Sequence, residues 1–142
     1  MAITYENVIY DRIITGLYTL IADEFSIPIY FDEHESNQSF LITPGEDSLI
    51  ELMSNGQTRN YAVNISYQLQ SGGNYTKNSV KQVTEIAERI KRLIHNNTAY
   101  SPSSSYKWHD GRCEMVEYSR DPDDPSLLNA VLQFNCASME TL

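Results

Sequence analysis

The sequence contains few of the residues from which catalytic and metal sites are usually built. Its 142 residues include two cysteines, three histidines and one tryptophan. The six glycines form neither the G-x-G-x-x-G pattern of dinucleotide-binding proteins nor the spacing of a P-loop. No nucleophile elbow or paired metal-binding motif is present either. The sequence therefore predicts a protein that is not an enzyme and that binds no cofactor.

Positive charge is also scarce. The chain has ten lysines and arginines but nineteen aspartates and glutamates, which gives a formal net charge of −9. Because Lys and Arg supply most of the affinity for phosphate backbones and for anionic membranes, this composition argues against a general nucleic-acid binder and a membrane-surface protein. Neither a signal peptide nor a membrane-spanning run can be recognised, which predicts a protein made and kept in a cytoplasm.

The cysteines and histidines are poorly placed for chemistry. Cys113 and Cys136 fall on two strands that, paired about the turn between them, would be several residues out of register, so buried free thiols are expected. His34 lies in the polar stretch DEHES, which predicts a solvated loop. His109 and Asp110 are adjacent in sequence, and neighbouring side chains rarely converge on one reacting atom, so a strand end and turn is expected there.

The residues that are abundant predict one folded domain over residues 1–142. Hydrophobic residues make up 41% of the chain, which is enough for a core without disulfides or a structural metal. Ten tyrosines are the compositional oddity. Tyrosine suits half-buried strands and protein interfaces alike, so both uses stay open.

Hydrophobic periodicity predicts two amphipathic helices and six strands. The helices cover residues 5–24 and 77–95, where apolar residues recur at helical spacing. The second helix carries a favourable Glu88–Arg92 pair, and its basic C-terminus suits the helix dipole. The six strands begin within PIYFD, FLITP, SLIELMS, RNYAVNISYQLQ, RCEMVEYS and LLNAVLQFNCA. This order predicts a two-layer α+β domain with a mostly antiparallel sheet and both helices on one face.

Two turns carry the strongest local signals. Asn55-Gly56 predicts a hairpin because both residues tolerate positive φ. Asp121-Pro122-Asp123-Asp124-Pro125 raises the alternative of an oxygen-rich metal site. Calcium loops place carboxylates at alternating positions with a bidentate Glu downstream, whereas Ser and Leu follow here. A hairpin turn without metal is therefore expected.

The chain resembles a known family, the tail terminator proteins of tailed bacteriophages. The resemblance rests on the size and order of the elements and on their apolar patterns, and it spans nearly the whole chain. The matching segments are IITGLYTLI, IPIYFD, FLITP, NYAVNISYQL, VTEIAERIKRLI, the lone tryptophan of YKWHD, and NAVLQFN.

This resemblance implies a structural virion protein at the head–tail junction, assembled in the host cytoplasm. Such proteins commonly form hexameric rings that cap the tail tube and receive the head connector, while DNA passes through without specific binding. They have no catalytic residues to carry over. For the subunit contacts, the candidate residues are Asp32, Glu33, Glu35, Asn55, Gly56 and Arg59, with the lysines of the second helix as further possible partners of the acidic loop.

Two other interpretations stay open. A neck stopper (head-completion) protein would act at the same junction, although stoppers resemble small β-barrels and the two helices argue against one. A ferredoxin-like ligand-binding or enzymatic domain would need polar groups that converge in an apolar pocket.

Overall fold

The computed structural model describes residues 2–70, 77–102, 107–124 and 126–141. The polar stretch SGGNYTKNS, predicted to be a loop, lies largely outside these residues. A π-helical segment, Ile9–Ile14, runs directly into helix α1, Thr15–Glu24, and helix α2 spans Lys77–His95. The strands are β1 (Ile29–Tyr30), β2 (Gln38–Met53), β3 (Gly56–Gln70), β4 (His109–Arg120) and β5 (Leu127–Thr141).

The five strands form one sheet in the order β1-β2-β3-β5-β4. All neighbours are antiparallel except β1, which runs parallel to β2. The predicted α+β class, with two helices on a mostly antiparallel sheet, is confirmed. Within the described residues, no helix is long and apolar enough to cross a membrane.

The sheet has five strands rather than six because FLITP and SLIELMS form one continuous strand, β2. The Pro44-Gly45 pair, predicted to end the first of them, lies at a register shift between Pro44 and Glu46. A bulge absorbs the extra residue without stopping the strand. Proline is tolerated there because β2 pairs with β1 only at Phe40 and Leu41, so Pro44 lies on a free edge and no ladder hydrogen bond is lost.

The first helix begins later than predicted. Helical structure starts near Ile9 rather than at residue 5, and its first turn is wider than an α-helix. Asn7 marks this start, since its carbonyl accepts a hydrogen bond from the Asp11 amide at 2.7 Å. The exposed residues before Asn7 bury no surface that could hold another turn.

The core lies between the helices and one face of the sheet. The alternation of β3 is confirmed, because Tyr61, Val63, Ile65, Tyr67 and Leu69 are all buried. They join one cluster with the apolar faces of both helices and of β5. In α2 the predicted stripe is buried except for Leu93, which is partly buried, and Val80, which is 46% exposed.

Trp108 connects the segment after α2 to this core. It is fully buried, its indole Nε1 donates to the Asn97 carbonyl at 3.0 Å, and its ring packs edge-on against Phe134. Gly16 leaves room for the indole, because a Cβ at that position would lie 2.5 Å from the Trp108 ring. The following residues start β4, and Asp110 adopts a positive φ of 54°. Asp110 therefore lies inside β4, at a register shift between His109 and Arg112, rather than in the predicted turn.

Candidate interaction surfaces

The acidic loop, residues 32–35, precedes β2 at one end of the sheet. Asp32, Glu33 and Glu35 are exposed, as expected of a solvated loop. His34 is the exception and corrects the prediction. Its Nδ1 lies 2.6 Å from Ser39 Oγ and its Nε2 lies 3.2 Å from Ser66 Oγ, which fixes the loop to the outer face of the sheet. Burial lowers the pKa of His34, since the charged imidazolium would lose solvation.

The contacts of His34 with Ser39 and Ser66 are the chemical feature that the sequence did not predict. A histidine between two serines suggests a nucleophile and its base, but Ser39 is completely buried and donates to the Ser36 carbonyl. In Ser-His-Asp sites the second imidazole nitrogen is oriented by a carboxylate, whereas here it meets Ser39. The group therefore serves as an anchor for the loop.

The predicted hairpin lies at the other end of β2, but its geometry differs from the expectation. Met53 pairs with Gly56, so the two turn residues are Ser54 and Asn55 rather than Asn55 and Gly56. Asn55 does not have a positive φ. A glycine is needed at position 56 because the backbone of β5 lies very close to it. A Cβ there would be 2.6 Å from the Glu140 carbonyl oxygen of β5. Asn55 is exposed, whereas Gly56 is buried.

Arg59 lies near this hairpin and is already engaged within its own chain. Its Nε lies 2.5 Å from Asp47 Oδ1, and it also donates to Gln57. The hydrogen bond that Arg59 donates to Asp47 raises the pKa of Arg59. An acidic loop that approached Arg59 would compete with Asp47, which makes Arg59 a weaker candidate than the sequence suggested.

The structure does not bring the two sets of candidate residues together. The acidic loop leads into Gln38, which pairs with Leu69 of β3, while the hairpin joins Met53 to Gly56. Leu69 and Gly56 are thirteen residues apart on one strand, which corresponds to roughly 40 Å at about 3.3 Å per residue. The loop and the hairpin are therefore unlike surfaces at opposite ends of the sheet.

Beyond Pro44, the β2–β3 hairpin continues as an arm, defined here as residues 46–60. The base of the arm, at Asp47 and Arg59, lies beside the N-terminal segment that leads into the first helix. Along β2 every residue from Glu46 to Leu52 is exposed. Three of them are large aliphatic residues, Leu49, Ile50 and Leu52, with exposed fractions of 49%, 57% and 66%. Sequence reasoning assigned these residues to an ordinary strand. The signal was present, since the apolar residues of SLIELM do not alternate as a strand with one buried face requires.

The arm is firmly paired although it is exposed. Leu49 pairs with Arg59 and Leu52 with Gln57, so these two leucines share the face on which Arg59 and Gln57 are hydrogen bonded. On the far side, β3 pairs with β5 as far as Gly56 and Thr141. The aliphatic side chains are thus held on a three-stranded sheet rather than on a loose loop.

An apolar groove opens at the end of the sheet opposite the arm. This groove, called the end groove below, has a volume of about 290 Å³. Its walls come from the first turns of α2, the end of β4 and the start of β5, chiefly Val80, Val83, Tyr118 and Leu128. Val80 and Tyr118 are 46% and 47% exposed. Arg120 lines the rim.

The basic C-terminal part of α2 faces a wider, open depression of about 650 Å³, but its charges are mostly paired. Arg89 binds Glu24 and lies over the ring of Phe25, and Lys91 contacts Glu88 at 2.6 Å. The predicted Glu88–Arg92 pair is therefore wrong, because Glu88 reaches Lys91 one residue earlier. Internal pairing leaves this surface weakly basic.

The remaining chemical candidates have structural roles. Both cysteines are free, but only Cys136 is buried, since Cys113 is partly exposed. Burial raises the pKa of Cys136 to about 12. The aspartate cluster forms the β4–β5 turn, where Asp121 Oδ1 accepts from the Asp123 amide and Asp124 Oδ1 accepts from Ser126. Among the described residues, no group of three or more His, Cys, Asp or Glu side chains is arranged to bind a metal ion.

Comparison with known proteins does not add a family to this description. No protein-family model matches the chain. No curated protein sequence matches it significantly.

Proposed function

We propose that this chain is a structural virion protein of a tailed phage, a tail terminator that forms a ring of six subunits at the head–tail junction. One observation carries the proposal: the two ends of its sheet present unlike surfaces, an exposed aliphatic arm at one end and the acidic loop with the end groove at the other. A closed head-to-tail ring needs two different complementary patches on each subunit, whereas a two-fold dimer reuses one.

The exposed arm supports assembly of some kind. Burial of apolar surface stabilises by about 25 cal/mol per Å², and a paired strand with exposed aliphatic side chains invites association. Leu49, Ile50 and Leu52 contribute nothing to the core of their own chain, so their burial in an assembly would be a net gain.

The charge distribution suits a channel through which DNA passes. Asp32, Glu33 and Glu35 are exposed at one end of the sheet, and the chain as a whole carries a net charge of −9. Acidic side chains that line a bore repel phosphates over about 8–10 Å at physiological salt. Such a surface lets a genome slide without holding it.

The alternative functions have less support. A neck stopper resembles a small closed barrel, whereas this sheet is open, with β1 and β4 at its edges. A ligand-binding or enzymatic domain requires polar groups that converge in an apolar pocket. The end groove is apolar but open, and the depression beside α2 is lined mostly by paired charges.

Two measurements test the proposal. Electron micrographs of the purified protein, alone and after addition of tail tubes, should show closed rings with a central opening. Tails assembled without the protein should be over-long or unstable and should fail to join heads. Normal tails and infectious particles in its absence would refute the proposed function.

A further inference from the structure

A cleft of about 350 Å³ lies between the N-terminal segment and the base of the arm. Residues 5–9 form one wall, and side chains of β2, β3 and β5 form the other. The charged side chains of Glu6, Asp47, Arg59 and Glu140 line it, together with the phenol of Tyr61. This cleft, called the polar cleft below, has a volume at the lower end of small-ligand pockets, which suits one side chain or a small molecule.

The positive charges at the polar cleft are already paired. Arg59 binds Asp47, and Arg12 donates to both oxygens of the Glu6 carboxylate at 2.6 and 2.8 Å. Among the described residues, Glu140 forms no ion pair. Three carboxylates therefore share two guanidinium groups, which leaves one negative charge without a partner of opposite sign.

The Tyr61 hydroxyl is a second, independent feature of the polar cleft. Tyr61 is only 4% exposed, yet its hydroxyl has no hydrogen-bond partner among the described residues. Every fully enclosed polar side-chain atom in that part of the chain has a partner, so this hydroxyl keeps its contact with solvent through the cleft. Burial, with a contribution from Asp47 and Glu140, raises the pKa of Tyr61 to about 12. The group is therefore a neutral phenol whose oxygen can accept a hydrogen bond.

We propose that the polar cleft binds a guanidinium group, the side chain of an arginine presented by a partner, between the Glu140 carboxylate and the Tyr61 hydroxyl. Such a cation supplies the missing positive charge, and its N–H groups donate to oxygens that lack donors. Gln57 donates to Oε2 of Glu140 at 3.0 Å, and within the described residues Oε1 stays open. A guanidinium suits this arrangement better than an ammonium, because its planar donors reach a carboxylate and a phenol together.

Other classes of ligand fit the polar cleft less well. An anion would meet three carboxylates, while Arg12 and Arg59, the groups that could bind it, are engaged. A divalent metal ion prefers several oxygen ligands at once. In the described part of the chain, no three His, Cys, Asp or Glu side chains are arranged to hold one.

The arginine can come from a second copy or from a different protein. Arg92 lies exposed on α2, and among the described residues its side chain forms neither an ion pair nor a hydrogen bond. It is therefore available to the polar cleft of a second copy. The proposed binding depends on the chemistry of the cleft alone and does not require the proposed function.

Titration with N-acetyl-arginine amide, followed by amide NMR spectra of the whole chain, tests the site. Saturable shifts are expected at Tyr61, Glu140 and their neighbours, and added salt should weaken them. N-acetyl-citrulline amide has nearly the same shape without the charge. It should bind about tenfold more weakly, because a hydrogen bond between charged groups is replaced by one to a neutral donor.

Conservative variants make the result specific. Tyr61→Phe removes only the hydroxyl and Glu140→Gln only the charge, so each should weaken binding several-fold while the remaining NMR spectrum stays unchanged. Glu117→Gln is the matched control, because Glu117 is an exposed glutamate of β4 outside the cleft. Equal binding of the citrulline compound, insensitivity to both cleft variants, no saturable shift, or saturation by magnesium chloride instead would overturn the inference.

Sedimentation at several concentrations identifies the source of the arginine. If a second copy supplies it, Arg92→Gln and Glu140→Gln should each weaken self-association, and N-acetyl-arginine amide should compete with it. If self-association is unchanged while the arginine compound binds, a different protein presents the arginine. Rings that form without arginine binding would reject the site and leave the ring function standing, whereas arginine binding without rings would do the opposite.

Discussion

The two halves of β2 differ in their surroundings although they form one strand. In the first half, Phe40 and Ile42 are fully buried beneath the helices. In the second half, from Glu46 to Leu52, every residue is exposed, including three aliphatic ones. Both halves pair with β3 along their whole length. Hydrogen bonding therefore does not distinguish them, and the difference lies in what covers their side chains.

This difference separates stability from assembly. The first half contributes to the single core cluster, so its residues determine whether the chain folds. The second half is exposed, and its aliphatic residues contribute little to the isolated subunit. Under the proposed function this exposed half is the part that contacts a partner, and the predictions below test that division.

Truncation in the buried half should give the largest effect. Ile42→Ala should lower the free energy of unfolding by about 2–5 kcal/mol, because it removes a buried aliphatic side chain and leaves a cavity. Ile65→Ala on β3 and Ile90→Ala on α2 should cost a similar amount, since both are fully buried in the same cluster. Chemical denaturation of the purified variants measures these differences.

Asn64→Ala is the control for the core truncations, because Asn64 lies on the opposite face of β3 between two buried core residues. Its substitution should change the free energy of unfolding by less than about 0.5 kcal/mol. Similar, small losses at Asn64, Ile42 and Ile65 would show that the helices do not cover this face of the sheet.

A smaller, pH-dependent effect is expected at the start of β2, where His34 anchors the acidic loop. Burial lowers the pKa of His34 in the folded protein, so the unfolded chain binds more protons between that pKa and the ordinary value of about 6.5. Stability therefore falls as the pH drops from about 6.5 through the folded pKa. Urea denaturation between pH 7.5 and pH 5 should show this loss.

His34→Gln is the matched variant, since glutamine can still hydrogen bond to Ser39 and Ser66 but does not titrate. Glu33 and Glu35 are present in both proteins, so their contribution cancels in the comparison. The variant should lose less stability than the parent over this range. Parallel pH profiles would mean that the imidazole is not held against the sheet.

The smallest effect on folding is expected in the arm. Ile50→Ala should change the free energy of unfolding by less than about 0.5 kcal/mol, because its side chain is 57% exposed and leaves no cavity. The same substitution should weaken self-association, as measured by sedimentation at several concentrations. A cost as large as that of Ile42→Ala would show that the arm is part of the core and would remove the division between the halves.

Much of the fold could be predicted from local patterns. The alternation of β3 predicted its buried residues, and the apolar stripe of α2 gave its limits from Lys77 to His95. The turn at Asp121–Asp124 followed from the preference of Asp for hydrogen bonds to nearby backbone. These features depend on spacing within one segment, which the sequence displays directly.

The candidate surfaces were predicted less completely. The acidic loop and the hairpin were recognised as exposed, but the bonds of His34 to Ser39 and Ser66 join residues that are five and thirty-two positions away. The hairpin was located correctly, but its turn residues lie one position earlier than predicted. The glycine at position 56 is required because β5 approaches its backbone closely, and not because the turn needs a positive φ. Contacts between distant segments have no signature in a local pattern.

The sequence by itself determined which segments form helices and strands and which of their faces are apolar. Only the tertiary structure decided where the helices end over the sheet. Alpha-helices rise about 1.5 Å per residue and strands about 3.3 Å, so the nineteen residues of α2 cannot cover the sixteen of β2. That mismatch in length leaves Leu49, Ile50 and Leu52 exposed at one end of the sheet.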